Sequence, residues 1–128
     1  MSSLIIDTNA FSRFMRGDAH AIAVLTDAIE IHLPLIVLGE LLAGFAAGGR
    51  AQANRDDLAE FMASAHVQLM RPDEKTARHY ADLYALLCRQ GTPVPANDLW
   101  IAALARQYRL PLLTFDAHFH SVPGLVLV

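Results

Sequence analysis

Leu4-Ile5-Ile6-Asp7-Thr8-Asn9 is the stretch of sequence that decides the fold. Its first three residues are apolar and include two β-branched isoleucines, which predicts a strand buried on both faces, as in a parallel sheet. An acid, a hydroxyl and an amide follow at once, and residues 10–16 then have helical spacing. A polar cluster between a buried strand and a helix indicates the carboxyl end of a parallel strand, where α/β domains place their sites.

The rest of the chain repeats this alternation. Further strands are predicted at 33–37, 67–70 and 112–115, with a fifth at a sheet edge at 125–128. Helices are predicted at 21–29, around Glu40 up to Gly48-Gly49, at 50–63, from Asp73 to Gly91 and at 97–108. Residues 1–128 are therefore expected to form a single α/β domain, with a mostly parallel central sheet of about five strands flanked by helices.

The composition limits the classes of function. Hydrophobic residues make up 54% of the chain, mean hydropathy is +0.31 and the formal net charge is −3. This charge argues against a tail that binds nucleic acid through bulk positive charge, although acids that hold a dication would account for much of it. The apolar content leaves two interpretations open, an alanine- and leucine-rich core or apolar surface that a partner covers.

The cytoplasm is the expected compartment. Cys88 is the single cysteine, so no intrachain disulfide can form, which is typical of a reducing environment. The first residues show no basic region and no long apolar run, so they do not predict a signal peptide. Because Pro34 and Glu40 interrupt the apolar stretch 33–45, no membrane span is expected.

Four acids stand at element boundaries. Asp7 and Asp116 directly follow the first and fourth predicted strands, Glu40 comes a few residues after the second, and Asp98 opens a helix after a loop with two prolines. In a parallel sheet Asp7, Glu40 and Asp116 open onto one edge, and Asp98 joins them if its helix starts there. Any single acid of this set also fits an ordinary helix cap, but four in such positions are harder to explain that way.

Such a cluster requires a cation. Carboxylates about 4 Å apart repel by roughly 4 kcal/mol at an effective dielectric near 20, which raises their pKa values. An oxygen-only cluster with no cysteine and no obvious histidine ligand suits Mg²⁺ or Mn²⁺ better than zinc. One or two such ions activate water and stabilise charge on a phosphoryl group, so the residues predict phosphodiester hydrolysis.

Polar neighbours are predicted to support this site. Thr8, Asn9 and Thr114 flank the acids and could orient them or hold metal waters. Asn97 is predicted to cap the helix that begins at Asp98.

Three further residues are candidate substrate contacts. Arg13 and Arg16 lie on the helix after Asp7 and are candidates for RNA phosphate contacts, with solvated arginines as the alternative. His118 follows Asp116 and is a candidate substrate contact, with an ordinary surface histidine as the alternative.

The motifs together resemble the PIN-domain family, and within it the small VapC-type toxins of bacterial toxin–antitoxin pairs. The resemblance covers almost the whole chain. It is carried by Leu-Ile-Ile-Asp7-Thr8-Asn9, Glu40-Leu-Leu-Ala-Gly44, Asn97-Asp98-Leu-Trp-Ile-Ala-Ala103 and Leu-Leu-Thr114-Phe-Asp116-Ala-His-Phe119. One difference is Phe115, which stands where many relatives carry a polar or basic residue.

The resemblance implies a three-layer PIN fold and a Mg²⁺- or Mn²⁺-dependent endoribonuclease. It implies that Asp7, Glu40, Asp98 and Asp116 are the catalytic and metal-binding acids. It also implies homodimerisation, inhibition by a cognate VapB-type antitoxin, and structured targets such as transfer or ribosomal RNA.

Two other classes of function remain as alternatives. A haloacid-dehalogenase-like phosphatase also begins with an Asp after an apolar strand, but its chemistry needs a second Asp at the position that Asn9 holds here. A catalytically silent binding module is the other, although it has no need of four acids.

Overall fold

The central sheet is entirely parallel. The computed structural model describes residues 2–128, and in that part of the chain the sheet has four strands. They are β1 (Ser3–Ile6), β2 (Glu30–Pro34), β3 (Val67–Met70) and β4 (Leu112–Leu113), in the order β3-β2-β1-β4. All four carboxyl ends therefore lie at one edge, and β1 and β4 are neighbours there.

Helices follow the strands, as the alternating sequence predicts. They are α1 (Thr8–Met15), α2 (Ala19–Asp27), α3 (Leu35–Ala47), α4 (Ala51–Ala63), α5 (Glu74–Gln90) and α6 (Ala96–Tyr108), with a 3-10 helix at Ala117–Ser121. Within residues 2–128, none of them is both long and apolar enough to cross a membrane.

The core forms around β1 and α6. Ile5 and Ile6 are fully buried, as the continuous apolar run predicts for a strand covered on both faces. The buried part of α6 includes three alanines, 102, 103 and 105, and small side chains allow close packing of a helix. This helix packs against α5, α3 and the 3-10 helix. Its first turn thereby lies near the carboxyl end of β4.

The second strand lies earlier than predicted. The prediction placed it at 33–37, whereas β2 ends at Pro34 and the next three apolar residues form the first turn of α3. A short apolar run fits a buried helix as well as a strand. Val37 and Leu41 are buried one turn apart on α3, so the run packs into the core as a helix. Glu40 consequently lies in the second turn of α3.

The predicted fifth strand is reduced to an isolated bridge. Leu112 pairs with Leu127 in parallel, and the segment 125–128 forms no strand beyond this. The fourth strand also ends two residues early, at Leu113, because the Thr114 hydroxyl accepts a hydrogen bond from the backbone N–H of Asp116. Such a local side-chain bond competes with ladder pairing and turns the chain.

Candidate metal centre

Four elements each bring one acid to the carboxyl edge of the sheet. Asp7 directly follows β1 and caps α1, and Asp116 follows β4 and caps the 3-10 helix. Asp98 lies in the first turn of α6, and Glu40 lies on α3. Because β1 and β4 are parallel neighbours, the first two acids open onto the same point.

Asp7 is the most deeply buried of these acids, with 4% of its surface exposed. Its Oδ1 accepts the backbone N–H of Ala10 at 2.8 Å, which starts α1. Its Oδ2 accepts a hydrogen bond from the hydroxyl of Thr114. Both carboxylate oxygens are therefore held in fixed directions by the protein.

Two threonines form hydrogen bonds with three of the acids. Thr114 donates to Asp7 and accepts the backbone N–H of Asp116 at 3.0 Å, so one hydroxyl joins two of the acids. Thr8 donates to Glu40 Oε1 at 2.7 Å. Because Asp7 and Thr8 are consecutive, all of these contacts converge on the end of β1.

A histidine links Asp98 to Asp116. The ring Nδ1 of His118 lies 3.1 Å from Asp98 Oδ2 and 3.2 Å from Asp116 Oδ1. The backbone N–H of the same residue donates to Asp116 Oδ1 at 2.9 Å. His118 therefore contacts two of the candidate metal ligands.

The acids lie close enough for the charge of one to shift the pKa of another. Burial is the main cause that raises the pKa of Asp7, and the charges of Asp116 and Asp98 raise it further against hydrogen bonds that lower it. Burial also raises the pKa of Asp98, and the charges of Asp116 and Glu40 add to this while the hydrogen bond from His118 opposes it. The folded chain thus concentrates negative charge that a cation would neutralise.

These residues fit a divalent cation. One ligand atom from each of Asp98, Asp116 and His118 can be chosen so that all three lie within 4.8 Å of one another. Asp7 and Glu40 bring further carboxylate oxygens to the same edge. A donor set of mostly carboxylate oxygens suits Mg²⁺ or Mn²⁺.

Residues 4–125 match the PIN domain family. This chain belongs to the PIN-domain family. Ribonuclease VapC5 of Mycobacterium tuberculosis is 30% identical over 124 residues, which is 97% of this chain and 90% of that protein. A solved structure of VapBC-5 from the same organism, a member of the VapBC family of toxin–antitoxin systems, has 28% identity and a TM-score of 0.73, covering 98% of this chain and 95% of that one.

A second solved structure shows the same PIN fold at lower identity. It is DNA-bound VapBC from Salmonella typhimurium, with 24% identity, a TM-score of 0.85 and coverage of 100% of this chain and 98% of that one. The three-layer α/β architecture expected from the sequence is therefore confirmed, with four strands instead of about five.

Two of the predicted supporting residues lie apart from these contacts in this PIN domain. Asn9 is exposed on α1. Asn97 is also exposed, and the prediction that it caps α6 is wrong because the helix begins at Ala96, one residue before it. Pro95 occupies the cap position with φ −54°, and among residues 2–128 no side chain caps this helix.

The two arginines predicted to contact phosphate have different surroundings. The guanidinium of Arg13 lies over the ring of Phe115, 4.5 Å from its centroid, and pairs with Asp18 at 3.8 Å. This places Arg13 beside the residue that precedes Asp116. Arg16 is exposed and lines a cleft of about 300 Å³ together with Arg50.

The sequence indicates His118 only as a substrate contact or a surface residue, and its contact with both acids appears only in the structure. The local signal was the spacing Asp-x-His, because an Asp that caps the N–H two residues later brings that residue back toward its own carboxylate. The contact with Asp98 spans 20 residues and depends on how α6 packs.

Proposed function

We propose that this chain is a divalent-metal-dependent endoribonuclease and the toxin of a toxin–antitoxin pair. The observation that carries the proposal is the convergence of Asp7, Glu40, Asp98 and Asp116 from four separate elements onto the carboxyl edge of the sheet. The raised pKa values of Asp7 and Asp98 support it, because burial and, after it, the neighbouring carboxylates disfavour the charged forms, and a bound cation would offset both effects.

The four acids would hold one or two Mg²⁺ or Mn²⁺ ions. A bound ion lowers the pKa of water and neutralises charge that develops on a phosphoryl group. The chain's own contribution is orientation. Thr114 fixes the relative positions of Asp7 and Asp116, and Thr8 aims Glu40 toward them. Hydrogen bonds of this kind typically affect metal affinity or activity by about 10- to 100-fold.

The arginines near the site support a nucleic-acid substrate. With a net charge of −3, the chain needs local positive groups to approach a polyanion. Arg13 stands near Asp116 through its contact with Phe115, and Arg16 is the residue that directly follows α1. We propose both as phosphate contacts, and we propose structured RNA, transfer or ribosomal, as the substrate.

The partners proposed are a second copy of the chain and a VapB-type antitoxin. The similarity to the VapBC complexes supports the antitoxin. Apolar side chains are exposed on α2 and α3, where Ile22 and Leu42 are each 40% exposed. Such a surface supports the proposal that a partner covers it. A single PIN domain over residues 1–128 would then be the toxin subunit of the complex.

The two alternative functions have less support. A phosphatase of the haloacid-dehalogenase kind needs an Asp where Asn9 stands, and the family match is to a different fold family. A silent binding module would gain nothing from keeping four charged acids together in a partly buried cluster.

Cleavage of RNA tests the proposal. Purified protein free of antitoxin is incubated with total RNA and Mn²⁺ or Mg²⁺, with and without EDTA, alongside Asp7→Asn and the control Asp82→Asn, which changes an exposed acid on α5. We expect cleavage by wild type and by the control, and none with EDTA or with Asp7→Asn. Intact RNA with folded wild type would favour the binding module, and release of phosphate from small phosphoesters would favour the phosphatase.

A further inference from the structure

We propose that His118 is a nitrogen ligand of the metal centre and that it makes this site favour Mn²⁺ over Mg²⁺. The inference rests on the proposed function, because it concerns the same site. It adds an imidazole to a ligand set that otherwise consists of carboxylate oxygens.

The position of the ring carries the argument. Nδ1 of His118 lies 3.1 Å from Asp98 Oδ2 and 3.2 Å from Asp116 Oδ1. Ligand atoms at right angles around an ion, on bonds of about 2.1 Å, are about 3 Å apart. The ring nitrogen is therefore spaced from both oxygens as a third ligand in the same coordination shell would be.

A backbone hydrogen bond holds His118 beside Asp116. Asp116 Oδ1 accepts the N–H of His118 at 2.9 Å, so the acid and the histidine are tied together in one short turn. The next residue, Phe119, is 1% exposed, which anchors the turn in the core. Nδ1 therefore lies beside the oxygens of Asp98 and Asp116 that would hold the ion.

The chemistry of the nitrogen sets the preference. Mg²⁺ binds oxygen ligands and gives up its water reluctantly, whereas imidazole suits transition metals. A carboxylate set alone accepts both Mg²⁺ and Mn²⁺. Adding Nδ1 of a neutral imidazole is therefore expected to strengthen Mn²⁺ binding more than Mg²⁺ binding.

The competing interpretation makes the opposite prediction. If His118 serves only as a positively charged partner of Asp98 and Asp116, it competes with the ion for the same oxygens. Removing it would then tighten metal binding. If it is a ligand, removing it weakens Mn²⁺ binding.

The test uses Mn²⁺ bound to the purified full chain, without RNA. Electron spin echo spectra report whether a ¹⁴N nucleus is bonded to the ion, and calorimetry gives the Mn²⁺ and Mg²⁺ dissociation constants. The variants are His118→Ala and the matched control His120→Ala, which removes an exposed histidine two residues further along the same 3-10 helix.

We expect a ¹⁴N signal in wild type and in His120→Ala that is lost in His118→Ala, with Mn²⁺ affinity reduced about 10-fold or more and Mg²⁺ affinity reduced less. Mn²⁺ binding without a ¹⁴N signal in wild type, or tighter binding by His118→Ala, would overturn the inference and leave the proposed metal site standing. A wild type that binds no Mn²⁺ would overturn both.

Discussion

At the scale of single residues, Asp7 combines two opposed effects. Its carboxylate caps α1 through the N–H of Ala10, which stabilises the fold. The same carboxylate is buried beside Asp98 and Asp116, and burial together with their charges raises its pKa. The ionised group therefore destabilises the metal-free fold, and a bound cation would relieve that cost.

Asp7→Asn separates these effects. The amide oxygen still caps α1, while the buried charge is gone. Because the folded-state pKa is raised, the favourable contribution of protonated Asp7 is complete below its ordinary value of 3.8 and is lost as pH rises through the folded-state value. At pH 7 in EDTA we expect urea unfolding to show the variant to be as stable as wild type, or more stable by about 1 kcal/mol.

Two further observations complete this prediction. The difference in unfolding free energy between Asp7→Asn and wild type should disappear as pH falls below the ordinary pKa of Asp. Added Mn²⁺ should stabilise wild type more than Asp7→Asn, because a ligand stabilises only the state that binds it. A variant that is clearly less stable than wild type in EDTA at pH 7 would show that the charge of Asp7 is not a burden on the fold.

At the scale of secondary-structure elements, α5 begins with a reciprocal capping box. The Asp73 carboxylate accepts the N–H of Thr76 at 3.0 Å, and the Thr76 hydroxyl accepts the N–H of Asp73 at 2.9 Å. The side chain of Gln107 on α6 contacts both residues. Hydrogen bonds from Thr76 and Gln107 also lower the pKa of Asp73. This capping box therefore joins α5 to the helix that carries Asp98.

Thr76→Val is expected to destabilise the fold. The residue is fully buried, and the substitution keeps its volume while it removes the hydroxyl and leaves the N–H of Asp73 without its acceptor. We expect a loss of about 1–2 kcal/mol in urea unfolding. Thr26→Val, an exposed substitution of the same kind on α2, is the control and should change stability by less than about 0.5 kcal/mol. Equal effects of the two variants would contradict the role given to the capping box.

Most elements were predictable because their signals are local. The run Leu4-Ile5-Ile6 predicts β1, Val67–Met70 is β3 with the predicted bounds, and Asp73 and Gly91 delimit α5. The errors fall where local signals are ambiguous. The apolar run after Pro34 fits a helix as well as a strand, and only burial of Val37 from the helix decides between them.

The residues of the site also differ in whether local sequence predicts their positions. Asp7 and Asp116 could be placed from sequence because each directly follows a buried strand. The link from Thr8 to Glu40 spans 32 residues, and the contact between His118 and Asp98 spans 20. Such contacts depend on how α3 and α6 pack, which no sequence spacing encodes.

At the scale of the whole molecule, the apolar composition has a structural counterpart. Leu35, Ile22 and Leu42 are each about two-fifths exposed, and Ile29 is 57% exposed. All four lie on, or next to, α2 and α3. These four side chains are therefore candidates for an apolar surface that a partner covers.

We therefore expect the free chain to self-associate. Sedimentation should give a mass above the 14.0 kDa of one chain, and Ile22→Glu with Leu42→Glu should shift it toward the monomer or reduce binding of an antitoxin. Gln68→Glu, at an exposed position on β3, adds one negative charge elsewhere and should leave association unchanged; it is the control for Ile22→Glu and Leu42→Glu made singly. A strict monomer whose mass does not rise when antitoxin is added would count against a partner-covered surface.

The central claim is that four carboxylates build one metal-dependent site that cleaves RNA. The most direct measurement is the single-turnover rate of cleavage of a labelled structured RNA at fixed Mn²⁺ concentration. It compares wild type with Asp7→Asn, Glu40→Gln, Asp98→Asn and Asp116→Asn, each tested alone, and with the exposed control Asp82→Asn. We predict a loss of about 100-fold or more for each of the four variants and no loss for the control. Cleavage that persists in EDTA, or a rate unchanged in Asp7→Asn and Asp116→Asn, would contradict the claim.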